Sequence, residues 1–207
     1  MEELEKIYLE RGKTVRISRF TRDNVFFHSF PLGSHANLNT HDAEYNSKTP
    51  IRSFLDYISR EQPMLSVASV HSSGVQETTM TRFAGIILKE GKIYDASSED
   101  MVSQAHQGKK TRFRGTANFD SRIPIDIRTE GATKAGYSHN EFIVGDYEIG
   151  GLYFDPNHLR IMSAENGLIK QDIVPQIAQE ALERGLPLYE VTKNGFKQVD
   201  PKKYIKK

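Results

Sequence analysis

Apolar residues recur at helical spacing in two parts of the chain. The first part follows Thr49-Pro50, where a capping hydroxyl precedes a proline at the first helical position, and it predicts an amphipathic helix over residues 50–61. The second part predicts a helix over residues 171–184, with Gly185 placed as its C-terminal cap. Ser97-Ser98-Glu99-Asp100 indicates the start of a further short helix.

Alternating and β-branched runs separate these helices and predict short strands. We expect strands over residues 14–21, 64–70, 82–88, 92–95, 140–144, 148–154 and 188–191. Phe26, Phe27 and Phe30 belong to an aromatic-rich segment and are expected in the core. Most of the predicted strands are joined by loops rather than by crossover helices, so the pattern predicts a mixed α+β domain.

Composition narrows the possible functions only slightly. The 207 residues suit one domain with a helical appendage, and 28 Lys+Arg against 27 Asp+Glu give a net charge of +1. We therefore expect no nucleic-acid partner, because phosphate contacts normally need a basic surface. No membrane span or signal peptide is visible. The absence of cysteine excludes disulfides, a cysteine nucleophile and cysteine-ligated zinc.

Three motifs follow one another in a fixed order. Arg19 lies in Ile17-Ser18-Arg19-Phe20-Thr21-Arg22, Ser66 in the predicted strand Leu65-Ser66-Val67-Ala68-Ser69, and Glu141 in Tyr137-Ser138-His139-Asn140-Glu141-Phe142-Ile143 before Ile149-Gly150-Gly151-Leu152-Tyr153. This order and spacing resemble the arginine–serine–glutamate pattern of the bacterial mono-ADP-ribosyltransferase toxins, such as the catalytic subunits of cholera, heat-labile and pertussis toxins. The resemblance covers roughly residues 14–155. It implies two small, mostly antiparallel sheets with NAD as co-substrate in the cleft between them.

The resemblance also implies a role for each motif. The carboxylate of Glu141 would stabilise the oxocarbenium-like ribose that forms as nicotinamide leaves as a neutral base. Arg19, or Arg16 if the register differs, would hold the diphosphate of NAD. Ser66 would orient the glutamate or the ribose, with Ser69 in support. Asn37 lies in a segment, Gly33 to Asn39, that resembles the family's loop beside the active site.

One position departs from the family pattern and affects the expected acceptor. Members that modify arginine carry Glu or Gln two residues before the catalytic glutamate, and this chain has His139 there. A histidine cannot make the paired contact with a guanidinium, so a hydroxyl or amide acceptor is open, and His139 could act as its base. Tyr137, just before the catalytic strand, is a second candidate for contact with the acceptor. We expect no metal, because His35 and His41-Asp42 lack the spacing of a ligand set.

These expectations define a catalytic core over residues 1–155 and a C-terminal helical extension over 156–207 packed on the same domain. The resemblance implies a bacterial toxin or secreted effector that acts in the host cytosol and modifies a host protein. Two alternatives stay open: an NAD glycohydrolase, with water as the acceptor, and a binding or immunity module without catalysis. The sequence leaves the oligomeric state open.

Overall fold

A computed structural model describes seven parts of the chain. They comprise residues 13–30, 51–60, 64–71, 84–97, 123–134, 140–157 and 173–205. The strands are β1 Val15–Arg16, β2 Asn24–Ser29, β3 Met64–His71, β4 Ala84–Ser97, β5 Glu141–Phe154, β6 Leu188–Thr192 and β7 Gly195–Val199. The helices are α1 Ile51–Arg60, α2 Ile125–Lys134 and α3 Ile173–Arg184, with 3₁₀ turns at Ile17–Arg19 and Pro201–Lys203. The fold is therefore mixed α+β, as the sequence predicts.

The seven strands are hydrogen-bonded into one sheet, in the order β1-β4-β2-β3-β5-β6-β7, with β4 and β5 also paired to each other. Among the described strands, every pairing is antiparallel except that of β5 with β6. One half of the sheet brings together β3, the start of β5, the end of β4 and β1. The other half brings together β2, the start of β4, the end of β5, β6 and β7.

Strands β4 and β5 are the long elements that serve both halves. Each has 14 residues, whereas the sequence predicts two short strands in place of each. Their pairing continues through four register shifts, the kind of bulge that bends a strand without ending it. The expected pair of separate sheets is thus not found among the described strands, because β4 and β5 run through both halves.

Helices α1 and α3 lie where the apolar spacing predicts them. Gly185 adopts a positive φ of 64° after α3, and the amides of Gly185 and Leu186 bond the carbonyls of Leu182 and Ala181. This is the double hydrogen bond of a glycine-capped helix end. Arg52 of α1 donates through Nε to Glu180 of α3 at 2.8 Å, so the two helices are joined. No helix in the described part of the chain is long and apolar enough to cross a membrane.

The core divides between the two faces of the sheet. A large cluster on one face includes Phe26, Phe30 and Phe142 together with apolar residues of all three helices. A smaller cluster on the other face includes Phe27 and Tyr153. All three phenylalanines of the 23–30 segment are buried, as predicted. Successive residues of β2, Phe26 and Phe27, therefore pack on opposite faces of the sheet.

Four elements differ from the sequence prediction. The strand expected over 14–21 ends at Arg16 and continues as a 3₁₀ turn, and the aromatic segment after it is a strand. Helix α2 was not predicted, because its buried positions include the polar Arg128, Thr129 and Thr133 and form no apolar stripe. After residue 155 the predicted strand over 188–191 is found as β6, whereas β7, which pairs with β6 at the edge of the sheet, was not predicted.

Candidate serine–glutamate site

Ser66 and Glu141 are in direct contact. The Ser66 hydroxyl donates to Oε1 of Glu141 at 2.5 Å, although the two residues are 75 positions apart in the chain. A hydrogen bond from a hydroxyl to a carboxylate is short and strong because the acceptor is charged. The two residues that the sequence selects as orienting serine and catalytic carboxylate are therefore brought together.

The register of β3 and β5 explains this contact. Ser66 is paired with Ile143, so Glu141 lies two residues further along β5 on the same face of the sheet. The residues flanking Ser66, Leu65 and Val67, point to the opposite face and are buried in the large cluster. The alternation of the strand thus places the polar side chain at 66 on the face where Glu141 lies.

Glu141 is a buried carboxylate, with only 4% of its surface exposed. Carboxylates are seldom buried to this extent unless they are hydrogen-bonded, and Ser66 supplies one such bond. On its other side Glu141 is paired with Ser97, the last residue of β4 and likewise buried. A charge held in a poorly solvated place interacts more strongly with a nearby ligand than a charge in water does.

Asn140, the residue before Glu141, was not assigned a role from the sequence. Its Oδ1 accepts from the amide of Ser69 at 2.9 Å, and its Nδ2 donates to the carbonyl of Ser69 at 2.8 Å and to that of Ala132 at 3.2 Å. Ser69 is buried and has the same strand parity as Leu65, so it faces away from Glu141. Ser69 is therefore brought to Asn140 and not to the serine–glutamate pair.

His28 on β2 is a second residue that sequence analysis missed. Its Nδ1 lies 2.7 Å from the carbonyl oxygen of Ser66. Because a carbonyl can only accept, Nδ1 carries the proton and donates it in this bond. The backbone of Ser66 is thus held by β2 while its hydroxyl is held by β5. The only sequence indication is a histidine directly after the apolar run Val25-Phe26-Phe27.

The two candidate arginines lie in different elements. Arg16 ends β1 opposite Lys92, which in turn is opposite Gly145 of β5, so strand alternation puts Arg16 on the face that carries Glu141. From the usual spacings of a β-sheet, the Cα atom of Arg16 lies about 13 Å from that of Glu141 along the strand direction and about 10 Å from it across the strands. Arg19 lies in the 3₁₀ turn, where its guanidinium is 6.0 Å from the ring centre of Phe20. Arg16, not Arg19, therefore occupies the end of the strand.

An ion pair between Asp95 and Arg128 lies close to this site. Asp95 lies on β4 opposite Ile143 of β5, and it is completely buried. Arg128 of α2 donates through Nη1 to Oδ1 of Asp95. Both side chains are removed from water, which is costly unless the charges are paired. Neither residue stood out in the sequence, because 33 positions separate them and nothing in either segment indicates the other.

Several predicted site residues lie outside the described residues. Asn37, Tyr137 and His139 are among them, as are His35 and His41-Asp42. Within the described ranges, no group of three or more His, Asp or Glu side chains is arranged to hold a metal ion.

The fold and the site define a mixed α+β protein in which a half-buried serine contacts a buried glutamate on one face of a sheet of seven described strands. Comparisons with protein-family models, with curated proteins and with solved structures find no match for the chain. Any functional assignment therefore depends on the chemistry of the site and on the resemblance in the motifs.

Proposed function

We propose that the protein is an NAD-dependent mono-ADP-ribosyltransferase that moves ADP-ribose from NAD to a side chain of a target protein and releases nicotinamide. The contact between the Ser66 hydroxyl and the Glu141 carboxylate carries this proposal. The resemblance implies that the serine orients either the glutamate or the ribose, and a direct contact with the glutamate fits the first of these roles. The contact joins residues 75 positions apart in the chain, and it supports the proposal.

The reaction suits a buried, oriented carboxylate. When the bond between nicotinamide and ribose breaks, the base leaves neutral and the ribose carbon becomes positively charged, so no general acid is needed. A fixed negative charge stabilises that carbon most where water is excluded and the carboxylate need not reorient. Glu141 is 4% exposed and bonded to Ser66, and it meets both conditions.

An arginine on the same face would hold the other part of NAD. Arg16 is largely exposed, with 71% of its side chain accessible, and within the described part of the chain its Nη1 lies 4.0 Å from a carboxylate oxygen of Glu90. This distance is at the limit for an ion pair, so replacing the contact with Glu90 by a contact with phosphate costs little free energy. Arg16 therefore fits the diphosphate-binding role better than Arg19. A guanidinium suits that role because it can form paired hydrogen bonds with phosphate oxygens.

The acceptor in this proposal is a protein side chain other than arginine. The argument is that His139 stands two residues before Glu141, where arginine-modifying relatives carry Glu or Gln. A neutral imidazole can take a proton from a hydroxyl or an amide, whereas an imidazolium would repel a guanidinium. A secreted bacterial effector acting on a host protein is the biological role that the resemblance implies.

Incubation of the purified protein with labelled NAD and a eukaryotic lysate tests this function. Glu141→Gln removes the charge but keeps the shape, and we expect it to reduce both protein labelling and nicotinamide release by at least about 100-fold. Glu148→Gln is the matched control, because Glu148 is an exposed glutamate of the same strand that contacts Lys89. We expect this control to behave like the wild type.

The pattern of products separates the alternatives. Nicotinamide release that depends on Glu141 but labels no protein would indicate an NAD glycohydrolase, with water as the acceptor. Equal activity in Glu141→Gln and wild type would remove Glu141 from the chemistry. A protein that neither releases nicotinamide nor labels a target, in lysate or alone, would indicate a non-catalytic binding module.

A further inference from the structure

We infer that Asn140 is a positioning residue: its side-chain amide fixes the start of β5 against β3 and so holds Glu141 at Ser66. The inference rests on the proposed function for its catalytic consequence, but its geometry does not depend on NAD. Asn140 is 5% exposed, and its amide bonds both backbone groups of Ser69.

These hydrogen bonds replace strand pairing where it ends. The last paired residues of β3 and β5 are Val67 and Phe142, and the same register puts Ser69 opposite Asn140. At that position the side-chain amide, not the backbone, provides both a donor and an acceptor to Ser69. The alignment of the two strands is thereby held for two residues beyond their regular ladder, and Glu141 lies inside this extension.

The position of Glu141 depends on the residues that flank it. Phe142 is completely buried, with its ring edge-on to Phe26 at 5.1 Å between centroids, and Asn140 is held on the other side. A slip of one residue would turn Glu141 to the opposite face of the sheet. Strand ends fray readily because they have few neighbours, so an anchor at the first position has a large effect on Glu141.

Only a carboxamide can make this set of contacts. Nδ2 has two hydrogens, which reach the carbonyls of Ser69 and Ala132, while Oδ1 accepts from the Ser69 amide. The bond to Ala132 also joins α2 to the start of β5. An aspartate at 140 has the same shape, but its carboxylate would face two carbonyl oxygens and could not donate to either.

A spectroscopic experiment tests the positioning without reference to activity. The carboxyl carbon of Glu141 is observed by NMR in wild type and in Ser66→Ala, which defines the shift caused by loss of the serine contact. We expect Asn140→Asp and Asn140→Ala to move the same resonance in the same direction. Tyr147→Phe removes another hydrogen bond of β5, from the half-buried Tyr147 hydroxyl to the carbonyl of Ile58, and is expected to leave the Glu141 resonance unchanged.

Hydrogen exchange of the wild-type protein tests the inference even if the variants do not fold. In the wild type the Ser69 amide is expected to exchange slowly, because Asn140 accepts from it inside the protein. A Ser69 amide that exchanges as fast as a solvent-exposed amide would overturn the inference. So would a Glu141 resonance that stays at its wild-type position in folded Asn140→Asp.

Kinetics then separate positioning from the proposed function. If the wild type cleaves NAD, Asn140→Asp is expected to lower kcat by about 10- to 100-fold with little change in KM, because misplacement affects the reacting groups more than binding. Tyr147→Phe should retain kcat. If the wild type does not cleave NAD, the proposed function fails, and the carboxyl resonance alone decides the role of Asn140. Unchanged kcat in Asn140→Asp would overturn that role.

Discussion

Asp95 on β4 and Arg128 on α2 form an ion pair in which both side chains are buried. Asp95 lies two residues before Ser97, which pairs with Glu141, so this ion pair ties α2 to the part of the sheet that carries the site. Four residues further along α2, the carbonyl of Ala132 accepts from Asn140. Helix α2 is thus joined to both β4 and β5 near Glu141.

Removing one partner of this ion pair should destabilise the fold strongly. We expect Asp95→Asn and Arg128→Met each to lower the free energy of unfolding by about 3–5 kcal/mol, because the remaining charge stays buried without its partner. Urea unfolding measures the change. The double variant should lose less than the sum of the two single variants, and losses that simply add would show that the two charges are not coupled.

The two arginines give a prediction about NAD binding. Arg16→Gln should weaken NAD binding by about 10-fold or more, because it removes a charge-assisted contact with the diphosphate. Arg19→Gln is the matched control, since Arg19 is an exposed residue of the 3₁₀ turn beyond the strand end. Calorimetry or equilibrium dialysis with NAD measures both. A loss with Arg19→Gln alone would restore the original assignment from the sequence.

Much of the fold could be predicted because its main signals are local. Helices α1 and α3 carry apolar residues at helical spacing, and Gly185 ends α3 as its position suggested. Helix α2 could not be predicted, because its buried face includes Arg128, whose partner is on a distant strand. The local pattern also predicts strand ends at the bends in β4 and β5. The strands continue there because their pairing with distant parts of the chain continues, and the local sequence does not show this pairing.

The candidate site, like the fold, could be predicted only in part from the sequence. Ser66 and Glu141 were selected from an ordered pattern, and the structure brings them together. Asn140 and His28 were missed because each acts through a backbone group of β3, and a backbone contact leaves no pattern of residue types in the sequence. The predicted strand over 14–21 includes Arg19, whereas the strand ends at Arg16 and Arg19 lies in the 3₁₀ turn that follows.

Gly85 of β4 marks a close approach between β4 and β2 at His28, the residue that contacts the Ser66 carbonyl. A Cβ at this position would lie 2.1 Å from the carbonyl oxygen of His28 and 2.7 Å from the ring of Tyr153. Gly85→Ala should therefore push β2 away from β4 and cost about 1–3 kcal/mol of stability, as overpacking usually does. Thermal unfolding measures it. A variant as stable as the wild type would mean that β2 can shift freely, and His28 would then hold Ser66 only loosely.

Tyr147 provides the prediction on alkaline stability. Its hydroxyl donates to the carbonyl of Ile58 at 2.6 Å, and burial raises the pKa of Tyr147 to about 12 from the usual 10.0. The neutral phenol is favoured in the folded state, so its contribution is complete below pH 10.0 and is lost as pH rises towards 12. We expect Tyr147→Phe to be less stable than wild type at neutral pH, because Ile58 loses its donor.

The two proteins should therefore converge in alkaline solution. Between pH 10 and about 12 the wild type should lose more of its unfolding free energy than Tyr147→Phe, since the variant lacks the half-buried phenol of Tyr147. Lysine residues titrate in both proteins over the same range and cancel in the difference. Denaturant unfolding at a series of pH values gives this difference directly. Parallel curves would show that Tyr147 ionises equally easily in the folded and unfolded chains, and that its burial imposes no constraint on the middle of β5.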